Sequence, residues 1–246
     1  MHRYQILMEY VGTNFYGWQY QKKQITVQGT VEKILKKILK EKVKLYGSGR
    51  TDSKVHAIEQ SAHFDVKNKI YNINKFFYTL NFFLNKKFIT IVKINKRPLT
   101  FHARYSAKKR IYKYLIHNRE TLPSIDRNRG WYVRKKLDYK LIKKASHFLK
   151  GTHDLSVFRA SNCSASSPIR TIDSLIIKKN NNIIEIKIKS RSFLKQQVRS
   201  IVGCLKYVGE KKWTVNKFKK VVKSKNRNLC APPAPGIGLY LERVIY

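Results

Sequence analysis

A chain of 246 residues with 42% hydrophobic and 12% aromatic residues can bury a sizeable core, which excludes wholesale disorder and leaves room for two domains. Its 53 Lys+Arg against 14 Asp+Glu give a net charge of +39, a balance that favours polyanions because each neutralised phosphate releases condensed counterions. Cys163, Cys204 and Cys230 are too few and too scattered for a disulfide framework or a zinc site, and no run of about 18 apolar residues would span a membrane. The composition therefore predicts a soluble, cytoplasmic, basic protein.

Tyr4, Ile6, Met8 and Tyr10 alternate, which predicts a half-buried strand over 3–10 and not the apolar core of a signal peptide. Gly12-Thr13-Asn14 then turns the chain into Phe15-Tyr16-Gly17-Trp18-Gln19. From Thr26, an expected N-cap, Val27, Val31, Ile34, Leu35, Ile38 and Leu39 recur at helical spacing. A glycine-broken loop over 46–54 precedes a strand over 55–66, a helix carrying Ile73, Phe76, Phe77, Leu80, Phe83 and Leu84, and a strand over 88–94.

The second half echoes this order. A strand is expected from Lys109 to Asn118, a helix over 139–149 ended by Gly151, and two strands near 171–178 and 183–190 around Asn180-Asn181-Asn182. A helix carrying Leu194, Val198, Ile201, Val202 and Leu205 runs to Gly209, followed by one carrying Val215, Phe218, Val221 and Val222. Pro232-Pro233-Ala234-Pro235-Gly236 breaks the chain before a last strand over 239–245. The expected fold class is α+β: two α/β-sandwich-like halves of similar topology, with mainly antiparallel sheets and helices on one face.

Chemistry is concentrated in Gly47-Ser48-Gly49-Arg50-Thr51-Asp52. In a chain so poor in acid, an aspartate two residues from an arginine invites a chemical role, since a carboxylate beside a cation stays ionised and can act as nucleophile or base. An Asx-turn or capping aspartate is the plain alternative. For Tyr112 the plain alternative is core or surface, and for Arg199 a solvated helix flank. Gly203, at helical spacing from Arg199, suits a close approach by another segment. His56, His102 and His153 do not cluster with cysteines or carboxylates, so no metal site is expected, while His102 and Arg104 suit phosphate contacts.

Gly49-Arg50-Thr51-Asp52 with Val55-His56-Ala57 resembles the catalytic signature of the TruA family of tRNA pseudouridine synthases. Other blocks similar to that family follow in order over nearly the whole chain: Phe15-Tyr16-Gly17-Trp18-Gln19 with Val27-Gln28-Gly29, Phe101-His102-Ala103-Arg104 with Tyr112 and Tyr114, Gly151-x-His153-Asp154, Val198-Arg199 with Val202-Gly203, and Gly238-Leu239-Tyr240-Leu241. The resemblance implies isomerisation of uridine to pseudouridine at positions 38–40 of the tRNA anticodon stem-loop, by a cytoplasmic homodimer without cofactor or metal. By the same resemblance Asp52 is the catalytic carboxylate, adding to C1′ or assisting loss of the base by another route. Arg50, Tyr112, Arg199 and Leu241 are then substrate-binding residues: Arg50 helps displace the base, Tyr112 stacks on it, Arg199 pairs with the carboxylate and Leu241 lines the pocket. The implied domains are 1–104, carrying the aspartate loop, and 105–246, completing an RNA-binding cleft between the halves.

The alternative is a non-catalytic basic RNA-binding protein or RNA chaperone on the same scaffold. Nothing in the sequence reads as a DNA-recognition helix. The chain departs from the family at Ser53-Lys54, where a small residue and a glycine are usual. Ordinary backbone dihedrals at Lys54, reached by a relaxed loop, are the expectation there.

Overall fold

The computed structural model describes residues 1–246 in full. The chain forms two compact units, Met1–Lys108 together with Tyr240–Tyr246, and Lys109–Leu239.

The first unit begins with β1 (His2–Tyr10), α1 (Val27–Leu39), β2 (Tyr46–Gly47), β3 (His56–Val66), α2 (Ile73–Leu84) and β4 (Ile89–Arg97). Both helices start where a short polar side chain takes up an orphan N–H: Thr26 accepts from Gly29, and Asn72 from Lys75. β1 lies antiparallel between β3 and β4, with Ile6 opposite both Ala62 and Ile94. Strand alternation sends Tyr4, Ile6, Met8, Ala62 and Phe64 into the core, where Phe64 meets Phe76 of α2. The other face carries Gln5, Ser61 and His63, and the two-pronged pair of Arg3 with Asp65, 2.7 Å at each prong. That pair holds the Asp65 carboxyl below its usual range, chiefly through the hydrogen bond from Arg3.

The second unit contains β5 (Lys109–His117), β6 (Trp131–Tyr132), α3 (Tyr139–Ser146), β7 (Gly151–Asp154), β8 (Ile169–Asn180), β9 (Ile183–Ser190), α4 (Gln197–Gly209) and α5 (Val215–Ser224). Its sheet runs β5-β9-β8-β7, antiparallel throughout, with β6 parallel beside β5. Asp138 and Thr214 cap α3 and α5. α4 is buried along most of its surface, with Val198, Ile201, Val202, Leu205 and Val208 in the core. The thiol sulfurs of Cys204 and Cys230 meet at 3.5 Å, so two cysteines that look unrelated in sequence are neighbours, and all three cysteines are free.

Both units are α+β with mainly antiparallel pairing. The short strands β2, β6 and β7 have too few residues to show a period and are not evident in the sequence. The last strand, β10 (Leu239–Ile245), departs from a cut after residue 104: residues 240–246 belong to the first unit. β10 pairs parallel with β3, Tyr240 opposite His56 and Leu241 opposite Ala57, because β3 offers an open edge there and Leu241 and Val244 have apolar side chains to bury. Tyr246 completes the contact, donating its hydroxyl to Ser61 Oγ at 2.7 Å. No helix is long and apolar enough to cross a membrane.

Candidate active site

The loop ahead of β3 is held by the segment that follows β1, and the two sequence blocks are one structural device. Gly12 and Gly17 lie against the loop so closely that a Cβ on Gly12 would sit 2.0 Å from the Val55 carbonyl oxygen, and one on Gly17 2.8 Å from that of Thr51. Gly17 also needs its φ of +92° to turn there. Hydrogen bonds finish the clamp: Trp18 N–H to Thr51 C=O at 3.0 Å, Lys54 N–H to Phe15 C=O at 3.3 Å, and Gly12 N–H to His56 Nδ1 at 3.1 Å. The Thr51 hydroxyl meets Tyr10 OH at 2.8 Å.

The front of the loop is equally fixed. Trp18 lies over Gly47, where a Cβ would fall 2.6 Å from the indole. Buried Ser48 donates to Gln60 Oε1 at 2.7 Å, and Gln60 Nε2 returns to the Gly49 carbonyl at 3.0 Å. Gln28 on α1 accepts from Tyr20 N–H and donates to the Leu45 carbonyl, tying helix, N-terminal block and loop together.

On this frame Arg50 is exposed and Asp52 half-buried, while Thr51 between them is buried. Val55 N–H donates to the Asp52 carbonyl at 3.2 Å, closing a turn over Asp52-Ser53-Lys54-Val55. Lys54, third in that turn, has φ +66°. The expected relaxation to ordinary dihedrals does not occur. The turn cannot open, because Phe15 holds the Lys54 N–H and Gly12 is pressed against Val55, so lysine takes the left-handed conformation glycine would prefer. Arg50 and Asp52 sit in the loop between β2 and β3.

Leu241 is buried beside Ala57 through the β10–β3 pairing, which brings it to the strand that the aspartate loop feeds. The His56 and Tyr240 rings stack at 4.6 Å on the same pair. Arg50, Asp52 and Leu241 thus share the first unit.

Tyr112 and Arg199 belong to the second. Tyr112 lies on β5 opposite Ile188, buried, with its ring edge-on to Phe193 at 5.0 Å. Arg199, in the first turn of α4, is half-buried and not a solvated flank. Its Nε donates to the Ala234 carbonyl at 2.7 Å, and the Ala234 N–H donates back to the Arg199 carbonyl at 2.9 Å. One turn on, a Cβ at Gly203 would lie 2.1 Å from the Pro232 carbonyl oxygen, the close approach its spacing suggests. The same proline-rich strap takes the Tyr114 hydroxyl at the Pro235 carbonyl, 2.8 Å away. Burial pushes the Tyr114 phenol well above its usual range, against the opposing influence of the Arg199 charge.

A sequence profile described as tRNA pseudouridine synthase matches residues 6–106 and 145–246. The chain belongs to the tRNA pseudouridine synthase family. Members of this family are isomerases. Proteins named tRNA pseudouridine synthase A from Pelagibacter ubique, from a Thermoanaerobacter species and from Brucella ovis are 58%, 44% and 40% identical to it. Each alignment covers 100% of this chain, and 100%, 100% and 98% of the respective relative. A chain from a crystal structure of a Cbf5-Nop10-Gar1 complex aligns with 82% of this chain and 54% of its own, at 10% identity and a TM-score of 0.35, too weak a likeness to carry an argument.

Within the synthase, sequence reasoning alone does not reach the supports of the loop. The Ser48–Gln60 exchange and the Tyr10–Thr51 contact join residues of ordinary type with no local spacing signal. The glycines at 12, 17 and 47 are the signal the sequence offers, the first two marking a close approach of backbone and the third that of the Trp18 indole.

Proposed function

We propose that this synthase isomerises uridine at positions 38–40 of the tRNA anticodon stem-loop, with Asp52 as the catalytic carboxylate. The observation that carries the reading is the clamped turn: a half-exposed carboxylate on a backbone tied to Phe15, Trp18 and Gln60 keeps its position when a large substrate docks. In the reaction the C1′–N1 bond breaks, the uracil turns, and C5 joins C1′. The proton leaves C5 and N1 gains one, so nothing is consumed and no cofactor is required. Asp52 either adds to C1′ or assists loss of the base.

Exposed Arg50, two residues away, suits a group that holds the displaced base, which must leave its stack before the carboxylate can reach it. Tyr112, Arg199 and Leu241 are assigned to the substrate by resemblance, with the Tyr112 ring for stacking, Arg199 as the carboxylate's cation and Leu241 as an apolar wall. The synthase acts as a homodimer in the cytoplasm on this reading, and its three free cysteines suit a reducing compartment.

Release of tritium from C5-labelled uridine in a tRNA transcript tests the assignment. Asp52→Ala is expected to lower release at least about a thousandfold while tRNA binding stays within about threefold, since phosphate contacts supply the affinity. Substantial release by Asp52→Ala overturns it.

A further inference from the structure

On the face of the first unit's sheet that lacks Phe64 and Phe76, aromatic rings and cations gather around the segment 101–105. Tyr46 of β2 stacks on its cross-strand partner His63, with ring centroids 5.0 Å apart and planes 16° from parallel. The His102 ring stands edge-on to His63 at 4.7 Å and lies 4.4 Å from Tyr105. Lys44 Nζ sits 5.3 Å from the Tyr46 ring centre, and the Arg104 guanidinium 5.6 Å from that of Tyr105. Tyr46 is 38% exposed and Tyr105 75%, so large ring surfaces face solvent where folding gains nothing from them.

The inner rings are anchored. His63 Nδ1 accepts the Ala103 N–H at 3.1 Å, and His102 Nδ1 accepts the Arg104 N–H at 3.1 Å. Burial, with Arg3 nearby, lowers both imidazoles, His63 to about 4, so the inner rings are neutral at physiological pH and present π faces instead of charge. An anchored set of neutral rings, two of them exposed and each flanked by a cation, is what a nucleobase with its flanking phosphates fits. In a chain of net charge +39 the complementary occupant is an RNA strand and not a basic protein surface.

We propose that Tyr46, His102 and Tyr105 form a stacking platform for an unstacked base of the bound RNA, with Lys44 and Arg104 set for the adjoining phosphates. His63 is seven residues along β3 from His56, roughly 23 Å at the usual strand rise, so the ring that anchors the platform lies well along the strand from the aspartate turn, and Tyr46 joins it from across the ladder. The platform therefore holds a nucleotide other than the one isomerised. This inference rests on tRNA being the substrate, and adds a second place where the substrate is opened.

Filter binding of a full-length unmodified tRNA transcript over a range of salt tests it, with tritium release from the unaltered enzyme measured alongside. Tyr105→Ala is expected to weaken binding about tenfold, with Tyr105→Phe within about twofold of the original, because a ring and not a hydroxyl is required. The dependence of affinity on salt should keep its slope in Tyr105→Ala, since stacking releases no counterions, while Arg104→Ala should lower that slope by about one. Because Tyr105 is exposed, its loss leaves the fold intact, which the unfolding midpoint checks. Unchanged binding by Tyr105→Ala, or no rescue by Tyr105→Phe, overturns the platform while tritium release leaves the catalytic reading standing. A tRNA that binds with no tritium release overturns the catalytic reading and leaves the platform to be judged by the ring variants.

Discussion

The aspartate loop of the first unit and the arginine helix of the second hold their candidate site residues by different means. Asp52 sits on irregular backbone trapped by irregular backbone, with Gly12 and Gly17 pressed against residues 51–55 and hydrogen bonds closing each gap. Arg199 projects from regular helix and is aimed by a strap, the segment 232–235, which meets it through the paired Ala234 bonds and the contact at Gly203. A loop can be rigid if it is held at many points, as residues 51–55 are by the segment from Gly12 to Trp18 and by the start of β3. A strap has one side to itself and can give way. The first design fixes the proposed catalytic carboxylate and tolerates local strain; the second leaves room for adjustment.

Adding one methyl group to each contact is the severest comparison. Gly12→Ala is expected to cost more than about 3 kcal/mol, because its Cβ overlaps the Val55 carbonyl, in a turn fixed by the Val55–Asp52 and Lys54–Phe15 hydrogen bonds. Gly203→Ala makes a similar overlap with Pro232 but should cost about 2 kcal/mol, since the strap can move outward. Urea unfolding of both variants measures the difference. Equal costs would mean that the strap is as immovable as the loop.

Acid probes the same contrast. The folded pKa of His63 lies near 4, below its usual 6.5, so between those values the unfolded chain binds more protons and stability falls as pH falls. The loss is expected to reach roughly 3 kcal/mol by pH 4 and to level off below it. His117 in the second unit is shifted in the same direction by burial. Unfolding free energies of His63→Gln and His117→Gln between pH 7 and 4 apportion the slope, and a wild-type slope in His63→Gln would remove His63 from the account.

The smallest effect concerns Lys54. Glycine relieves the left-handed strain but enlarges the unfolded ensemble, so Lys54→Gly should raise stability by about 0.5–1 kcal/mol. A thermal midpoint that falls in Lys54→Gly would show that the lysine side chain contributes more than its backbone costs.

The long elements are legible in the sequence because period and capping agree: Thr26 opens α1, and Val27, Val31 and Leu35 are its buried stripe. The pairing of β10 is not, since it depends on an edge of β3 that only the folded sheet exposes. At the candidate site the residue types are legible as blocks, but their joining is not. That Phe15 and Lys54 share a hydrogen bond is a matter of tertiary distance, and the relaxed Lys54 expected from side-chain chemistry failed because the segment after β1 closes on that turn. Arg199 shows the reverse: its helical position suggests solvent, and the strap that covers it lies more than thirty residues later.

The return of β10 to the first unit sets an order on synthesis. As the chain leaves the ribosome, β3 emerges with its edge at His56 and Ala57 bare, and roughly 130 residues of the second unit must be made before Tyr240 and Leu241 arrive to cover it. At about 5–20 residues per second the nascent protein spends on the order of ten seconds in that state. The strand that follows the candidate catalytic loop thus waits for its neighbour, and the newborn chain carries an unpaired edge until the whole second unit has been made.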